Sequence, residues 1–399
     1  MEGRPPVFAF RWNKWRRLVQ VSASTAPSIL WFIPCNGDRR YLGSNRGNRA
    51  PNYRHFSTIA RAADTLGYDG VLVPIGSHNR DPWALATALS TETERLKFLI
   101  AVRPSVLSPT LAARQVATLD RISGGRVLVN IVAGGSSSEL AGDGVHLEHD
   151  ERYAHADEWL TVYRRVLSGE TVDLDGQYVK VKGAKLEYEP VQSPHPPIYF
   201  GGSSPAGIRT AAKHVDLYLT WGEPLEQVAA KFAEVREAAA AEGRQIRFGV
   251  RLHVIVRETE EEAWEVADRL IRDADPALLE EARRRLAQSD SVGQQRMLAL
   301  HGTSKDRESL LVGPHLWAGI GLLRGGAGTA VVGNPQQVAE TLRAYQALGA
   351  DTFVLSGYPH LEEAYNVAEL LFPVLGKENR LASDLPHAWE AALAGSFAR

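Results

Sequence analysis

Short apolar runs and amphipathic stretches alternate eight times along this chain, and that alternation constrains the fold more than any single motif does. The apolar runs cover residues 29–33, 71–73, 98–102, 127–132, 198–200, 217–220, 246–256 and 353–356. Most lack the polar alternation of a half-exposed strand, which predicts parallel strands buried on both faces. Helical patterns lie between them. Residues 52–66 place Phe56, Ile59, Ala63 and Leu66 at helical spacing and stop at Gly67, and residues 110–122 stop at Gly124. Further amphipathic stretches run over 83–89, 152–167, 206–214, 225–241, 260–272, 338–348 and 361–371. Eight strand–helix units in one chain predict an α/β fold, a TIM (β/α)8 barrel, with a doubly wound sheet as the alternative.

Two segments exceed the repeat. Residues 171–188 alternate apolar and polar side chains around Asp175-Gly176, which predicts an inserted hairpin. Residues 274–333 form a long insertion before the last strand, with a charged helix and then the glycine-rich run 319–328. Insertions of this length in barrels are lids or binding loops. The barrel is expected over residues 28–378, followed by a C-terminal tail at 379–399. Residues 1–27 read as a loose N-terminal extension. Arg16-Arg17 resembles a twin-arginine signal, but residues 18–28 are too polar and too short for its apolar region.

Composition removes several classes of function. Lys plus Arg total 45 and Asp plus Glu 47, a net charge of −2, so no overall basic field is available for nucleic acid. The single Cys35 excludes an internal disulfide and any multi-cysteine metal site. His146 and His149 near Asp150 lack further ligands, so no metal is expected. No apolar stretch approaches the roughly 20 residues that span a bilayer; no membrane partner and a cytoplasmic location are expected. The phosphate-loop, dinucleotide, H-E-x-x-H and G-x-S-x-G signatures are missing from the sequence.

Barrel chemistry sits where strands end. In chain order those ends carry Cys35, Asn36, Gly37 and Asp38; then Ile75, Gly76, His78 and Asn79; then Arg103; then Asn130 and Val132. They continue with Gly201-Gly202-Ser203-Ser204, Thr220-Trp221-Gly222, Arg251 with His253, and Ser356-Gly357-Tyr358-Pro359-His360. Small residues leading into a helix suit an anion at its positive end, though ordinary helix caps look the same. Period two puts Arg251 and His253 on one strand face, either as a buried ion pair or facing a polar site. Trp221 alone reads as packing. Arg324 stands in the glycine-rich run, where a mobile loop would let it close over an anion; an ordinary exposed arginine is the alternative.

These residues lie within longer stretches that resemble one family. The stretches cover 101–106, 141–145, 198–204, 217–224, 251–258, 290–297, 324–330 and 356–365, in one order from about residue 29 to 375. The chain resembles the bacterial-luciferase-like flavin-dependent monooxygenases, in particular the alkanesulfonate monooxygenase branch. The resemblance implies a TIM barrel that receives FMN as FMNH2 from a separate NAD(P)H-dependent flavin reductase. With O2 as co-substrate, it would convert an organosulfonate into an aldehyde and sulfite. It also implies a homodimer or homotetramer.

The resemblance further implies site residues. Gly202, Ser203 and Ser204 would hold the FMN phosphate with help from Tyr153. Ile75, Asn130 and Val132 would line the flavin ring, with Arg103 also in the cofactor site. Arg251, His253, Trp221, Tyr358 and His360 would surround the sulfonate, and Arg324 would close over it. Paired guanidinium N–H donors match a sulfonate as they match a phosphate. Arg251 is expected as anion clamp and proton donor and His253 as a positioning residue and proton acceptor; among Arg251, His253 and Tyr358 the assignment stays open. Relatives commonly carry histidine where Asn36 stands and cysteine where Asn79 stands. Two carboxamides, each donor and acceptor, suggest a polyhydroxylated substrate such as the sulfosugar sulfoquinovose. A simple alkyl sulfonate, a deazaflavin-dependent hydride transfer on the same fold, and a non-enzymatic flavin-binding protein are the alternatives.

Overall fold

The computed structural model describes residues 26–380. Most of the expected N-terminal extension, and the expected tail beyond residue 380, lie outside the described residues. Eight parallel strands close into a barrel: β1 (Ser28–Phe32), β2 (Gly70–Val73), β3 (Lys97–Val102), β4 (Val127–Ile131), β7 (Ile198–Phe200), β8 (Leu217–Trp221), β9 (Arg247–Val256) and β13 (Ala350–Ser356). Each pairs with the next in that order, and β13 pairs with β1 to complete the ring. The doubly wound alternative is thereby excluded, because that sheet would have two open edges.

The strands are buried on both faces, which accounts for their continuous apolar character. Leu30, Phe32, Leu72, Leu99, Leu128, Tyr199, Leu217, Leu219 and Val354 pack inside the barrel. The opposite faces carry Ile29, Trp31, Val71, Phe98, Val129 and Val250 into a larger core that includes the surrounding helices. Burying each large aliphatic side chain is worth about 1.5–3 kcal/mol. The helix Tyr53–Leu66 starts where the Asn52 side chain accepts from the His55 N–H and stops at Gly67, whose φ of 93° closes the last turn.

The inserted hairpin forms as expected. β5 (Val172–Asp175) pairs antiparallel with β6 (Lys180–Ala184). Its turn is fastened by Glu158, whose carboxylate accepts from the N–H groups of Gln177, Tyr178 and Val179 at 2.8–2.9 Å.

The long insertion differs from its sequence reading. It contains the expected charged helix (Pro276–Ala287), a second short helix (Val292–Leu298) and three short strands that the sequence does not announce. β10 (Leu311–Gly313) and β11 (Leu316–Trp317) are antiparallel, and β12 (Ala330–Gly333) joins β9 in parallel from His253 to Val256. β8 pairs with β9 only as far as Arg251, so β12 succeeds β8 along the same edge. Strands of two to four residues show no period, which is why they escape the sequence. The glycine run is packed rather than open. Gly319–Leu322 forms a buried turn of 3-10 helix, and the Gly321 N–H donates to the Gly328 carbonyl at 2.8 Å. A Cβ on Gly328 would lie 2.8 Å from the Gly321 Cα, so these glycines permit close approach.

A buried ion cluster holds the insertion to the barrel. Glu223, 0% exposed, follows β8 and accepts from Lys231 and, through Arg296 of the insertion, at 2.8 Å from Nε. Removing the carboxylate leaves Lys231 buried without a counter-charge. Glu223→Ala is expected to cost about 3–5 kcal/mol, read as a lower urea midpoint; a midpoint unchanged from wild type contradicts this.

Candidate active site

The inner face of β9 turns polar as it reaches the barrel mouth. Gly249, Arg251 and His253 share that face, as period two requires. Arg251 is level with Trp221 of β8 and Val354 of β13, and His253 is level with Ser356. One step further, Ile255 packs into the separate core of the insertion with Leu42, Trp264 and Trp317. The chemistry-bearing part of β9 is therefore bounded below by the barrel core and above by the insertion.

Two guanidinium groups converge on one phenyl ring. Arg251 lies over Phe32 at 4.4 Å and Arg324 at 5.3 Å. Arg324 Nη1 donates to His253 Nε2 at 2.7 Å. That nitrogen must then be unprotonated, because a guanidinium only donates. The His253 proton sits on Nδ1 and is given to Ser356 Oγ at 2.9 Å. Burial, reinforced by Arg324 and Arg251, holds His253 well below the ordinary imidazole value. Burial and the neighbouring Arg324 push Arg251 down to about 9, which leaves it a cation at neutral pH. Among the described residues no carboxylate pairs with either arginine, and Arg251 Nη1 is buried without a hydrogen-bond partner.

The loop after β13 completes this pocket. Tyr358 stacks on His253 with centroids 5.4 Å apart and meets His360 edge-on at 5.0 Å. His360 is 1% exposed, and its Nε2 has no partner. The insertion covers the opposite wall. A Cβ on Gly293 would lie 3.3 Å from the Trp221 ring, and Gln294 accepts from the Gly326 N–H at 2.9 Å. Arg251, His253, Tyr358, His360 and Arg324 are thus brought together, with Trp221 against the cover.

A second region lies at the ends of β4 and β7. The turn Gly201–Ser204 leads into the helix Pro205–His214, where Ser204 caps the Gly207 N–H at 3.2 Å. A Cβ on Gly201 would meet the Leu219 carbonyl at 2.2 Å, so only glycine fits this turn against β8. Tyr153 packs edge-on against Phe200 and its hydroxyl meets Ser204. Ser203 is half-buried, and Tyr218 donates to the Gly202 carbonyl at 2.7 Å. Ile75, Asn130 and Val132 are half-buried at their strand ends. Arg103 instead spends its terminal nitrogens on Asp143 at 2.7 Å and Glu139 at 3.1 Å. Glu139 also accepts from the Ser77 N–H at 2.8 Å, so Arg103 braces the loop that carries Ile75 and Asn79. Asn36 is exposed and Asn79 half-buried.

One contributor escapes the sequence: Phe32 looks like any core residue of β1. Ser356 and Asp38 stand at strand ends in the sequence, and tertiary pairing gives them their places. Among the described residues no group of three or more His, Cys, Asp or Glu side chains is arranged to hold a metal ion, and no helix is long and apolar enough to cross a membrane.

Comparison with known proteins agrees with this architecture. Residues 29–352 match the family described as luciferase-like monooxygenase, and the chain belongs to that family. Among similar solved structures is riboflavin lyase RcaE, solved with modified FMN and substrate riboflavin. It is 19% identical with a TM-score of 0.72, over 89% of this chain and 93% of that one. The long-chain alkane monooxygenase LadA is 21% identical with a TM-score of 0.70, over 88% of this chain and 92% of that one. DmoA from Hyphomicrobium sulfonivorans is 19% identical with a TM-score of 0.68, over 89% of each chain. At these identities the structures bear on the fold alone.

The buried imidazoles make stability depend on pH. Burial holds both His253 and His360 below their ordinary value. The unfolded chain therefore binds more protons than the folded one once pH falls below about 6.5. Their stabilisation is present above that pH and is lost as pH falls toward the folded values, by up to about 1.4 kcal/mol per pH unit for each group. Tm should fall between pH 7.5 and 5.5, and His253→Gln should flatten the slope; a Tm that rises on acidification contradicts the assignment.

Proposed function

We propose that this chain is an FMNH2-dependent monooxygenase that oxidatively desulfonates an organosulfonate, with sulfoquinovose as the leading substrate. The observation that carries it is the pair Arg251 and Arg324. Two cations packed beside one phenyl ring, with no carboxylate among the described residues to neutralise them, are costly. A sulfonate between them supplies the missing charge and a partner for Arg251 Nη1.

The cofactor region fits FMN. Ser203, Ser204, Tyr153 and the start of the helix Pro205–His214 offer donors to a phosphate, and Ile75, Asn130 and Val132 would line the ring. FMNH2 supplies two electrons for the reduction of O2, one of whose atoms enters the product. The chain's residues do the rest. Arg251 clamps the anion. Arg324, docked on the neutral His253, closes the second side, and Ser356 fixes the tautomer that makes this docking work. Trp221 and the insertion exclude water from a site where it would compete. A separate flavin reductase as FMNH2 source, and a homo-oligomer, belong to the same proposal.

Substrate preference rests on Asn36 and Asn79. No hydrogen bond within the described residues engages either carboxamide, so both are available to sugar hydroxyls. Sulfite release from sulfoquinovose should exceed that from octanesulfonate by on the order of 10²-fold in kcat/KM, under identical FMN reductase supply. Faster turnover of octanesulfonate would remove the sugar preference. Arg251→Ala should lower kcat/KM by at least about 10²-fold in a chain that folds normally; unaffected turnover would move the site elsewhere.

A further inference from the structure

His253 and His360 both face the pocket, but they are not equivalent. Both ring nitrogens of His253 are engaged, one by Arg324 and the other by Ser356. His360 has one nitrogen engaged and one buried with no partner. Its Nδ1 meets Asp38 Oδ1 at 2.8 Å, and its backbone N–H donates to the same carboxylate at 3.0 Å. Asp38 is 0% exposed and follows β1 by six residues in the loop at the mouth. It also accepts from the Arg39 N–H at 2.8 Å, lies 3.1 Å from His55 Nε2, and has Arg49 at 4.0 Å.

This geometry dictates a tautomer. A carboxylate only accepts, so the Nδ1 beside it carries the proton and Nε2 presents a lone pair. Burial works against the charge on Asp38, but His360 and the hydrogen bonds around it hold the carboxyl well below its usual range. The backbone that carries the ring has anchors besides Asp38. Trp31 donates to the His360 carbonyl at 3.0 Å, and Tyr68 donates to the Ala364 carbonyl one turn on at 2.8 Å. The charged or titratable groups that face the ring are Asp38 behind it and Arg251, Arg324, His253 and Tyr358 around the pocket. Burial, with a smaller contribution from the two guanidinium groups, keeps the ring neutral; a bound anion would offset the guanidinium part and make the lone pair more basic.

We propose that His360 Nε2 is the proton acceptor of the reaction and that Asp38 is the positioning residue that orients it and balances its charge. The proposal rests on the desulfonation reading. That reaction balances as R–CH2–SO3⁻ + O2 + FMNH2 → R–CHO + SO3²⁻ + H⁺ + FMN + H2O. One hydrogen of the sulfonate-bearing carbon stays in the aldehyde and the other leaves as a proton. The electron pair of that C–H bond becomes the bond to the oxygen atom from O2, and the C–S pair departs with sulfite. The proton goes to His360 Nε2, and Asp38 stabilises the resulting imidazolium.

Selective 15N labelling of histidine, with His360 assigned by its loss in His360→Gln, reads the tautomer in the wild-type protein without any turnover. The proton is expected on Nδ1; a proton on Nε2 overturns the proposal. In Asp38→Asn, kcat should fall about 10²- to 10⁴-fold. Sulfonate affinity, read by tryptophan fluorescence, should stay within about twofold of wild type. The midpoint of the acid limb of kcat/KM should move down by about one pH unit or more, because the carboxylate no longer favours the protonated ring. Deuterium on the sulfonate-bearing carbon should slow the variant more than the wild type. Turnover near wild type, or losses in affinity that match the losses in turnover, overturns the proposal. If Asp38→Asn does not fold, His360→Gln carries the same expectations for kcat, affinity and isotope effect. A wild type that releases no sulfite from any sulfonate overturns the desulfonation reading instead, while the 15N result still decides whether Asp38 sets the tautomer.

Discussion

Two guanidinium groups beside the Phe32 ring, Arg251 buried and Arg324 half-buried, have no carboxylate among the described residues to neutralise them, and they set the terms for the rest of the barrel mouth. Proteins rarely bury such charge without compensation, because desolvation outweighs what a phenyl face returns. Here the surroundings are arranged around the imbalance. His253 is held neutral so that it can accept from Arg324 rather than repel it. Ser356 takes the one proton His253 retains. Asp38, a buried carboxylate at the mouth, is spent on His360 and forms an ion pair with neither arginine. The pocket therefore keeps a positive field inside a chain whose net charge is −2, and binding an anion would relieve the cost that folding leaves in place.

The fold itself was largely legible. Buried parallel strands must be apolar on both faces, and that requirement wrote seven of the eight barrel strands into the sequence within a residue of their observed ends, while β13 starts three residues earlier than its apolar run. The glycine stops at Gly67 and Gly124 marked helix ends for an equally local reason. The insertion was less legible. Its strands are too short to carry a period, and β12 exists only because β9 outruns β8 and needs a neighbour. The glycine run suggested freedom of movement, whereas Gly321 and Gly328 serve to bring two backbones together.

The site was legible in part, and the division has a physical basis. Arg251 and His253 are visible because a charged pair inside an apolar strand breaks the pattern of its surroundings. Arg324 was marked by its glycine-rich setting and Tyr358 and His360 by their place after the last strand, family resemblance gave them roles, and the structure gathers them at one place. Phe32 could not be told from the other large residues of the barrel interior, since its contact with two cations leaves no mark on β1. Asp38 and His360 lie 322 residues apart, and no local rule connects them. Arg103, expected in the cofactor site, has its terminal nitrogens paired with Glu139 and Asp143, a contact that no local rule announces.

The junction of β12 with β9 has a mechanical consequence. Five residues, 325–329, separate Arg324 from Ala330, the first residue of a strand hydrogen-bonded to the one that bears Arg251 and His253. A fully extended leash of that length reaches about 20 Å. The travel of Arg324 is limited to that radius however far the helices of the insertion swing. Arg324 is thereby anchored to the same strand that bears Arg251 and His253.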